Sequence, residues 1–303
     1  MSEYGIGTPG TPWGEEEKAQ WKAQQKIVRS YKEEVLSKLL NVPSGYSLQQ
    51  YGALPYDEAR YPLNAVVPDT MLENVPNILV TGGVHGYETS GVQGALKFIN
   101  ETLSEYEDKA NVVVVPCVSP WGYETINRWN PMAMDPNRSF HEDSNAPESA
   151  LLMAFVTSLG ITFDMHIDLH ETTDTDNSEF RPALAARDGV THDNWNIPDG
   201  FYLVADTPKP VMAFQKAIID KVKKITHIAP PDENGKIIGA DVEIEGVICY
   251  DKSSLHLCGG MTGAAYVSTT EVYPDSDNAT PENCNDAQVA AVTAAIDYVC
   301  AHF

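Results

Sequence analysis

A chain of 303 residues that is 43% hydrophobic can bury a full core, in one large α/β domain or two smaller ones. Its 43 acidic residues against 20 Lys and Arg leave a formal charge of −23, which repels phosphate backbones and anionic lipid, so neither nucleic acid nor a membrane surface is expected as a partner. The acidic residues are dispersed and form no tail, which solubility alone explains; attraction of a cationic substrate is the sharper alternative.

No run approaches the roughly 20 apolar residues needed to span a bilayer. The opening MSEYGIGTPGTPWGEEEKAQ has neither the basic nor the apolar region of a secretory signal. Five cysteines, at 117, 249, 258, 284 and 300, are odd in number and form no C-x-x-C pair. That suits a reducing compartment and argues against a thiolate metal site. A cytoplasmic protein is expected, with its oligomeric state left open.

Residues 15–40 are charged, with Trp21, Ile27, Tyr31, Val35, Leu36 and Leu39 at helical spacing, and predict a surface helix packed by one stripe. Residues 41–76, rich in Pro, Asn, Tyr and Gly, predict loops and short strands. The apolar run 77–81 ends in Gly82-Gly83 and leads into a helical pattern from about Ser90 to Leu103, the first half of a β-α-β unit. Residues 112–115 are all valine and predict a strand buried on both faces. A helix over 149–159, strands over 161–169 and 201–205, and a helix over 210–225 follow. The last of these carries Val211, Phe214, Ile218, Val222 and Ile225 on one face. Residues 264–273 are β-rich. The final helix opens at Thr280-Pro281-Glu282, an N-cap followed by proline at N1, and buries Val289, Val292, Ile296 and Val299. Strands alternating with helices and no linker predict one α/β domain, residues 1–76 adding an N-terminal helix and loops to a main body of 77–303.

Candidate chemistry gathers where strands end. In Gly82-Gly83-Val84-His85-Gly86-Tyr87-Glu88 the glycines permit a tight turn, and His85 and Glu88 can converge at a loop–helix junction. Both are good zinc ligands. An isolated H-x-x-E is usually a surface pair; its place at the carboxyl end of a strand favours the ligand reading, because open α/β sheets bind ligands there. In the run from Asp164 to Thr172, Asp164, His166, Asp168 and His170 share one strand face. Such a polar row is costly inside an apolar sheet unless it is paired or binds something, the alternative being a solvated edge. His170 falls last, before a polar loop over 171–200, and is a better ligand candidate than His166, which suits a hydrogen-bonded core position. His, Glu and His would leave a fourth position open, the arrangement of a catalytic zinc site. Asn137 and Arg138 in DPNRSF offer an amide and a fork suited to a carboxylate, and Asp135 could orient a metal-bound imidazole; a turn with a surface arginine fits the hexapeptide as well. Glu271, in the β-rich TTEVY, either faces solvent or has a purpose.

Together, HGYE, NRWNP with DPNRSF, DLHET and TTEVY resemble, in this order, the zinc carboxypeptidase (M14) family, including its aspartoacylase and succinylglutamate desuccinylase branch. GGVHGYETSG and DLHETT look most like the aspartoacylase side; SPWGYETINRWNP, the chain length and the late TTEVY look more like carboxypeptidases. The resemblance runs from about Asn77 to Tyr273 and implies a mixed, largely eight-stranded sheet with helices on both faces, residues 77–303 being the catalytic domain. It implies one Zn2+ held by His85, Glu88 and His170, with Asp135 behind a ligand. It implies Asn137 and Arg138 on the substrate carboxylate, Arg128 on the scissile carbonyl, and Glu271 as general base. Tyr250 stands where a substrate-capping tyrosine is expected, although ICYDKSSLH departs from its usual surroundings. The expected activity is hydrolysis of an amide beside a free carboxylate in a small peptide, or deacylation of an N-acyl amino acid. From another class comes a metal- or peptide-binding protein without turnover. Residues 171–200 and 250–263 are expected to shape the pocket, with His256, Cys258 and Gly259-Gly260 in its wall.

Overall fold

The structure, a computed structural model, describes residues 4–192 and 196–303, so the start of the predicted N-terminal unit and positions 193–195 of the predicted 171–200 loop lie outside the described residues. Among the described residues ten strands form: β1 (Tyr46–Ala53), β2 (Pro62–Pro68), β3 (Asn77–Gly82), β4 (Asn111–Val115), β5 (Met165–Glu171), β6 (Tyr202–Asp206), β7 (Lys236–Ile237), β8 (Ala240–Asp241), β9 (Val247–Tyr250) and β10 (Tyr266–Val272). The helices are α1 (Glu15–Gln24), α2 (Tyr31–Glu34), α3 (Thr89–Glu101), α4 (Pro120–Thr125), α5 (Pro147–Ser158), α6 (Arg181–Asp188), α7 (Met212–Val222) and α8 (Pro281–His302). Eight strands make one mixed sheet in the order β1-β2-β4-β3-β5-β10-β6-β9, with β7 and β8 a separate small pair. The expected single α/β domain with helices on both faces of an eight-stranded sheet is therefore found. No described helix is long and apolar enough to cross a membrane.

Strand sequences explain the layering. All five residues of β4 are buried, as a strand covered on both faces requires. Along β3, Ile78 and Val80 join a core with residues of α3, α7 and α8, while Leu79 joins a second core with Leu152 and Phe155 of α5. On β5, Met165, Ile167 and Leu169 enter the first core, so His166, Asp168 and His170 point the other way. Strands β4, β3, β5 and β10 run parallel, which sets their carboxyl ends along one edge. Thr280 caps α8, its Oγ1 accepting from the Asn283 N–H at 3.1 Å ahead of an alanine-rich body.

Several predicted elements differ. The 15–40 helix breaks after Gln24: the N–H groups of Val28 and Arg29 donate to the Glu124 carbonyl, and Ser30 opens α2 as its cap, leaving Ile27 exposed. Residues 46–53 and 62–68 are full strands, and β2 pairs with β4, so the sheet runs across position 76 without a break. The strand expected over 161–169 starts at Met165 and continues to Glu171. The polar loop expected over 171–200 carries a π-helical turn at Asp176–Phe180 and then α6, which ends on Gly189 in the left-handed region. Ile225 lies beyond the end of α7 and is exposed.

Candidate metal centre

Just past β3 the chain makes a tight turn in which the Glu88 N–H donates to the His85 carbonyl at 3.2 Å, throwing both side chains to one side. Gly83 sits at φ +63°, and a Cβ on Gly86 would lie 2.1 Å from the Tyr123 nitrogen, so the turn needs glycine at both positions. Helix α3 begins immediately afterwards without a capping side chain of its own. The Glu171 carboxylate does that work, accepting from Ser90 N–H at 2.7 Å and Thr89 N–H at 3.1 Å. The end of β5 is thereby tied to the start of α3, which brings His170 to Glu88.

His85, Glu88 and His170 are all buried, and their ligand atoms lie within 4.8 Å of one another; among the described residues this is the group able to hold a metal ion. His85 Nδ1 is 2.7 Å from Glu88 Oε1, and His170 Nδ1 is 2.6 Å from Glu88 Oε2. Behind each ring stands a second carboxylate: Asp135 Oδ1 is 2.9 Å from His85 Nε2, and Asp168 Oδ2 is 2.7 Å from His170 Nε2. Two imidazoles with converging Nδ1 atoms, each anchored at Nε2 by a carboxylate, are what a divalent site of nitrogen and oxygen ligands needs, so these residues fit zinc. Burial alone would raise the Glu88 carboxyl, but His170 and His85 pull it well below the ordinary carboxylate range. His166 is outside this group. It is fully buried, with Nε2 2.9 Å from Thr81 Oγ1, and burial pushes its pKa down to about 4.

The group opens on a cavity of about 940 Å³. Glu271 lies beside His170 in the β5–β10 register, in the cavity wall, with Thr172 Oγ1 donating to its Oε2 at 2.9 Å. Burial pushes its carboxyl up to about 8, His170 opposing and Glu88 adding to the rise. A cation held by the three ligands would lower it again. Arg128 donates from Nε to Asp135 Oδ2 at 3.0 Å and from Nη1 to Asp176 Oδ1 at 3.4 Å, so Asp135 links this guanidinium to His85. Arg138 lines the cavity and is exposed to it, its Nη1 donating to the Asn137 carbonyl at 2.8 Å. The Asn137 carboxamide accepts from Cys258 N–H at 2.8 Å and sits 3.4 Å from His170 Nε2. Tyr250 ends β9 in the cavity wall, where burial and Glu271 push its hydroxyl up to about 12. All nine residues singled out from the sequence therefore meet around one cavity.

Other residues of the site escaped the sequence reading. Asp168 was visible in the polar row, two positions before His170, but its partner was not. Thr172 and Asp176 lie in the 171–200 segment expected to shape the pocket, as they do, but neither was singled out there. Lys252 lines the cavity with no accessible surface, and burial pushes its ammonium down to about 8 against the pull of Asp168, Asp206 and Glu271. No spacing rule marks it. Pro12 and Trp13 also line the cavity, the Trp13 N–H donating to the Arg187 carbonyl of α6 at 2.8 Å. Of the expected wall over 250–263, Tyr250, Lys252 and Leu257 take part; His256 is exposed with its ring 4.8 Å from that of His141, and Cys258 is buried beneath.

Sheet order, parallel carboxyl edge and the turn that carries His85 and Glu88 together define a metallo-carboxypeptidase-like fold. Comparison with known proteins agrees. Residues 74–193 match the family described as the succinylglutamate desuccinylase/aspartoacylase catalytic domain. A candidate metallopeptidase from Shewanella amazonensis SB2B superposes with a TM-score of 0.68 at 19% identity, covering 91% of this chain and 99% of that one. A metallo-carboxypeptidase from Burkholderia cenocepacia gives 0.58 at 15% identity, covering 96% and 70%. One from Pseudomonas aeruginosa, in complex with (2-guanidinoethylmercapto)succinic acid, gives 0.57 at 14%, covering 95% and 69%. No curated protein matches the chain in sequence. The resemblance of the motifs to the zinc carboxypeptidase family with its aspartoacylase branch is borne out.

Proposed function

We propose that this protein is a zinc-dependent hydrolase that cleaves an amide bond beside a free carboxylate, as a carboxypeptidase acting on small peptides. The observation that carries the reading is the convergence of His85, Glu88 and His170 with Glu271 and Arg138 on one cavity. His85, Glu88 and His170 would hold the ion, which when bound supplies Lewis acidity that acidifies water and polarises a carbonyl. Glu271, oriented by Thr172, accepts the proton of the attacking water and returns it to the leaving nitrogen. Arg128, fixed by Asp135 and Asp176, presents positive charge where the carbonyl oxygen gains negative charge. Arg138 grips the substrate carboxylate with its fork, which orients the amide without joining the chemistry. Tyr250, in the wall of the same cavity, would cap the bound residue.

The match of residues 74–193 to the succinylglutamate desuccinylase/aspartoacylase family favours a second reading within the same chemistry, deacylation of an N-acyl amino acid. Zinc-loaded protein should hydrolyse blocked dipeptides faster than N-acetyl- or N-succinyl-amino acids; cleavage of the acyl compounds alone would sink the peptidase reading. Glu271→Gln should retain zinc yet lose roughly 100- to 10,000-fold in kcat. Zinc bound by the wild type with no turnover of either series would mark a binding protein instead.

A further inference from the structure

The two sides of the cavity differ in chemistry. On the His170 side stand Glu271, Thr269, Lys252 and Tyr250, and Arg138 follows Asn137, whose carboxamide sits 3.4 Å from His170 Nε2. On the His85 side the wall is largely apolar, lined by Trp13, Trp129, Met132, Met134, Phe180 and Leu184. The Phe180 ring lies 4.6 Å from that of Tyr87, which lies 6.2 Å from that of His85. Met134 immediately precedes Asp135, the carboxylate 2.9 Å behind His85. Trp129 follows Arg128, which Asp135 also holds, and the Trp13 ring is 6.2 Å from it, edge on. Both tryptophans are buried and give this end fixed aromatic walls, while Met132 is exposed and Met134 half-buried, unbranched side chains that adapt to what they meet.

The cations near this end have partners of their own. Arg187 gives Nε and Nη2 to Asp188 at 2.8 and 3.1 Å and Nη1 to the Ala133 carbonyl at 2.9 Å, with its guanidinium 4.6 Å from the Trp129 ring centre. Lys18 pairs with Glu15 at 2.9 Å. Arg128 is held by Asp135 and Asp176. On the hydrolase reading, the substrate carboxylate sits on Arg138 and the scissile carbonyl faces Arg128. The two halves of an amide leave its carbonyl carbon in opposite directions, so the acyl half runs towards the His85 side. The room there is ample: a cavity of about 940 Å³ holds far more than an acetylated amino acid.

We propose that this end is the acyl subsite, that it takes a bulky apolar acyl group, and that Trp13 is its specificity residue. In a peptide, that group is an aromatic or large aliphatic residue placed before the one released. Trp13 lies outside residues 74–193, the segment matched to the family, so the preference is written into the N-terminal segment of this chain. The inference rests on the hydrolase reading of the same site and adds to it the identity of the acyl half.

The test varies the acyl half alone. Blocked dipeptides with one shared C-terminal residue, and phenylalanine, alanine or glutamate before it, are compared on the zinc-loaded full chain. Wild type should favour phenylalanine over alanine by about 10-fold or more in kcat/KM, the scale of burying one aromatic side chain. Trp13→Ala should cut that ratio by about 5-fold or more. Equal rates in wild type, a faster glutamate substrate, or a smaller fall in the folded variant would overturn the assignment. If only N-acyl amino acids turn over, phenylacetyl against acetyl on one amino acid replaces the pair, with the same ratios expected. If no amide is cleaved, the hydrolase reading fails, and calorimetric affinities for the same peptides decide the role of Trp13. Tighter binding of the phenylalanine peptide that is lost in Trp13→Ala supports it; equal binding refutes it. Should Trp13→Ala fail to fold, judged by circular dichroism, Met132→Glu, a change at an exposed side chain of the same wall, carries the decision. Loss of the phenylalanine preference supports the subsite, and its survival refutes it.

Discussion

Each imidazole of the candidate metal centre is set by a residue that would never touch the ion. Asp135 and Asp168 stand 2.9 and 2.7 Å behind the two Nε2 atoms and so fix which nitrogen turns towards Glu88. Both are held at their other oxygen, Asp135 by Arg128 and Asp168 by Thr81, and the sheet also fixes the backbone of Asp168 on both sides. Replacing it with Asn keeps the shape but removes the charge that favours the correct tautomer. Asp168→Asn should therefore weaken zinc binding about 10- to 100-fold, read by competition with a chromophoric chelator. Unchanged affinity would mean that Asp168 serves the fold alone.

At the scale of elements, the centre depends on how closely the 82–88 turn packs on the start of α4. A Cβ at Gly86 would lie 2.1 Å from the Tyr123 nitrogen, 2.3 Å from the Gly122 carbonyl carbon and 2.5 Å from the Ser119 oxygen, all backbone atoms that cannot swing aside. Gly86→Ala must move the turn, and with it His85 and Glu88. We expect a loss of about 1–3 kcal/mol in a denaturant titration, the usual cost of overpacking, together with weaker zinc binding. A variant that loses stability but keeps full zinc affinity would show that the turn shifts as a rigid unit. The N-terminal segment contributes at the same scale: Trp13, Trp21 and Trp129 form a chain of ring contacts, with centroids 6.2 Å apart between Trp13 and Trp129 and 5.5 Å between Trp21 and Trp129, that seats Pro12 and Trp13 against the cavity.

For the molecule as a whole, Glu148 gives stability a recognisable pH dependence. This carboxyl, in the first turn of α5, accepts at Oε2 from Asn130 Nδ2 at 3.1 Å and Tyr56 OH at 3.3 Å, and its Oε1 has no partner among the described residues. Burial pushes its pKa from 4.5 up to about 7. The folded chain thus holds this proton more tightly than the unfolded one. Its contribution is fully present below about pH 4.5 and is lost as the pH rises through about 7. The loss is on the order of 3 kcal/mol. Glu148→Gln stays neutral throughout, so between about pH 5 and about pH 8 its Tm should change less than that of wild type. Parallel curves in scanning calorimetry would place the carboxyl at its ordinary value.

Strand, turn and helix signals were local, and the sequence carried them. Four consecutive valines announced a doubly covered strand, Thr280-Pro281 announced a helix start, and the polar row ending at His170 showed which face of β5 bears chemistry. The candidate ligand trio could be read as well, because HGYE and DLHET each couple a strand end to side chains able to hold a metal ion. Contacts between distant segments could not. Asp168 and Asp135 choose their imidazoles, Glu171 caps a helix 81 residues upstream of it, and Lys252 is buried by a turn and a strand that no periodicity joins to it. The α6 segment was hidden for a related reason, since in eight residues it packs the small side chains of Ala183 and Ala186 with Leu184 against the core, too short and slight a stripe to mark a helix. Local pattern sets backbone conformation, whereas charge burial and tautomer depend on what the tertiary structure packs against each side chain.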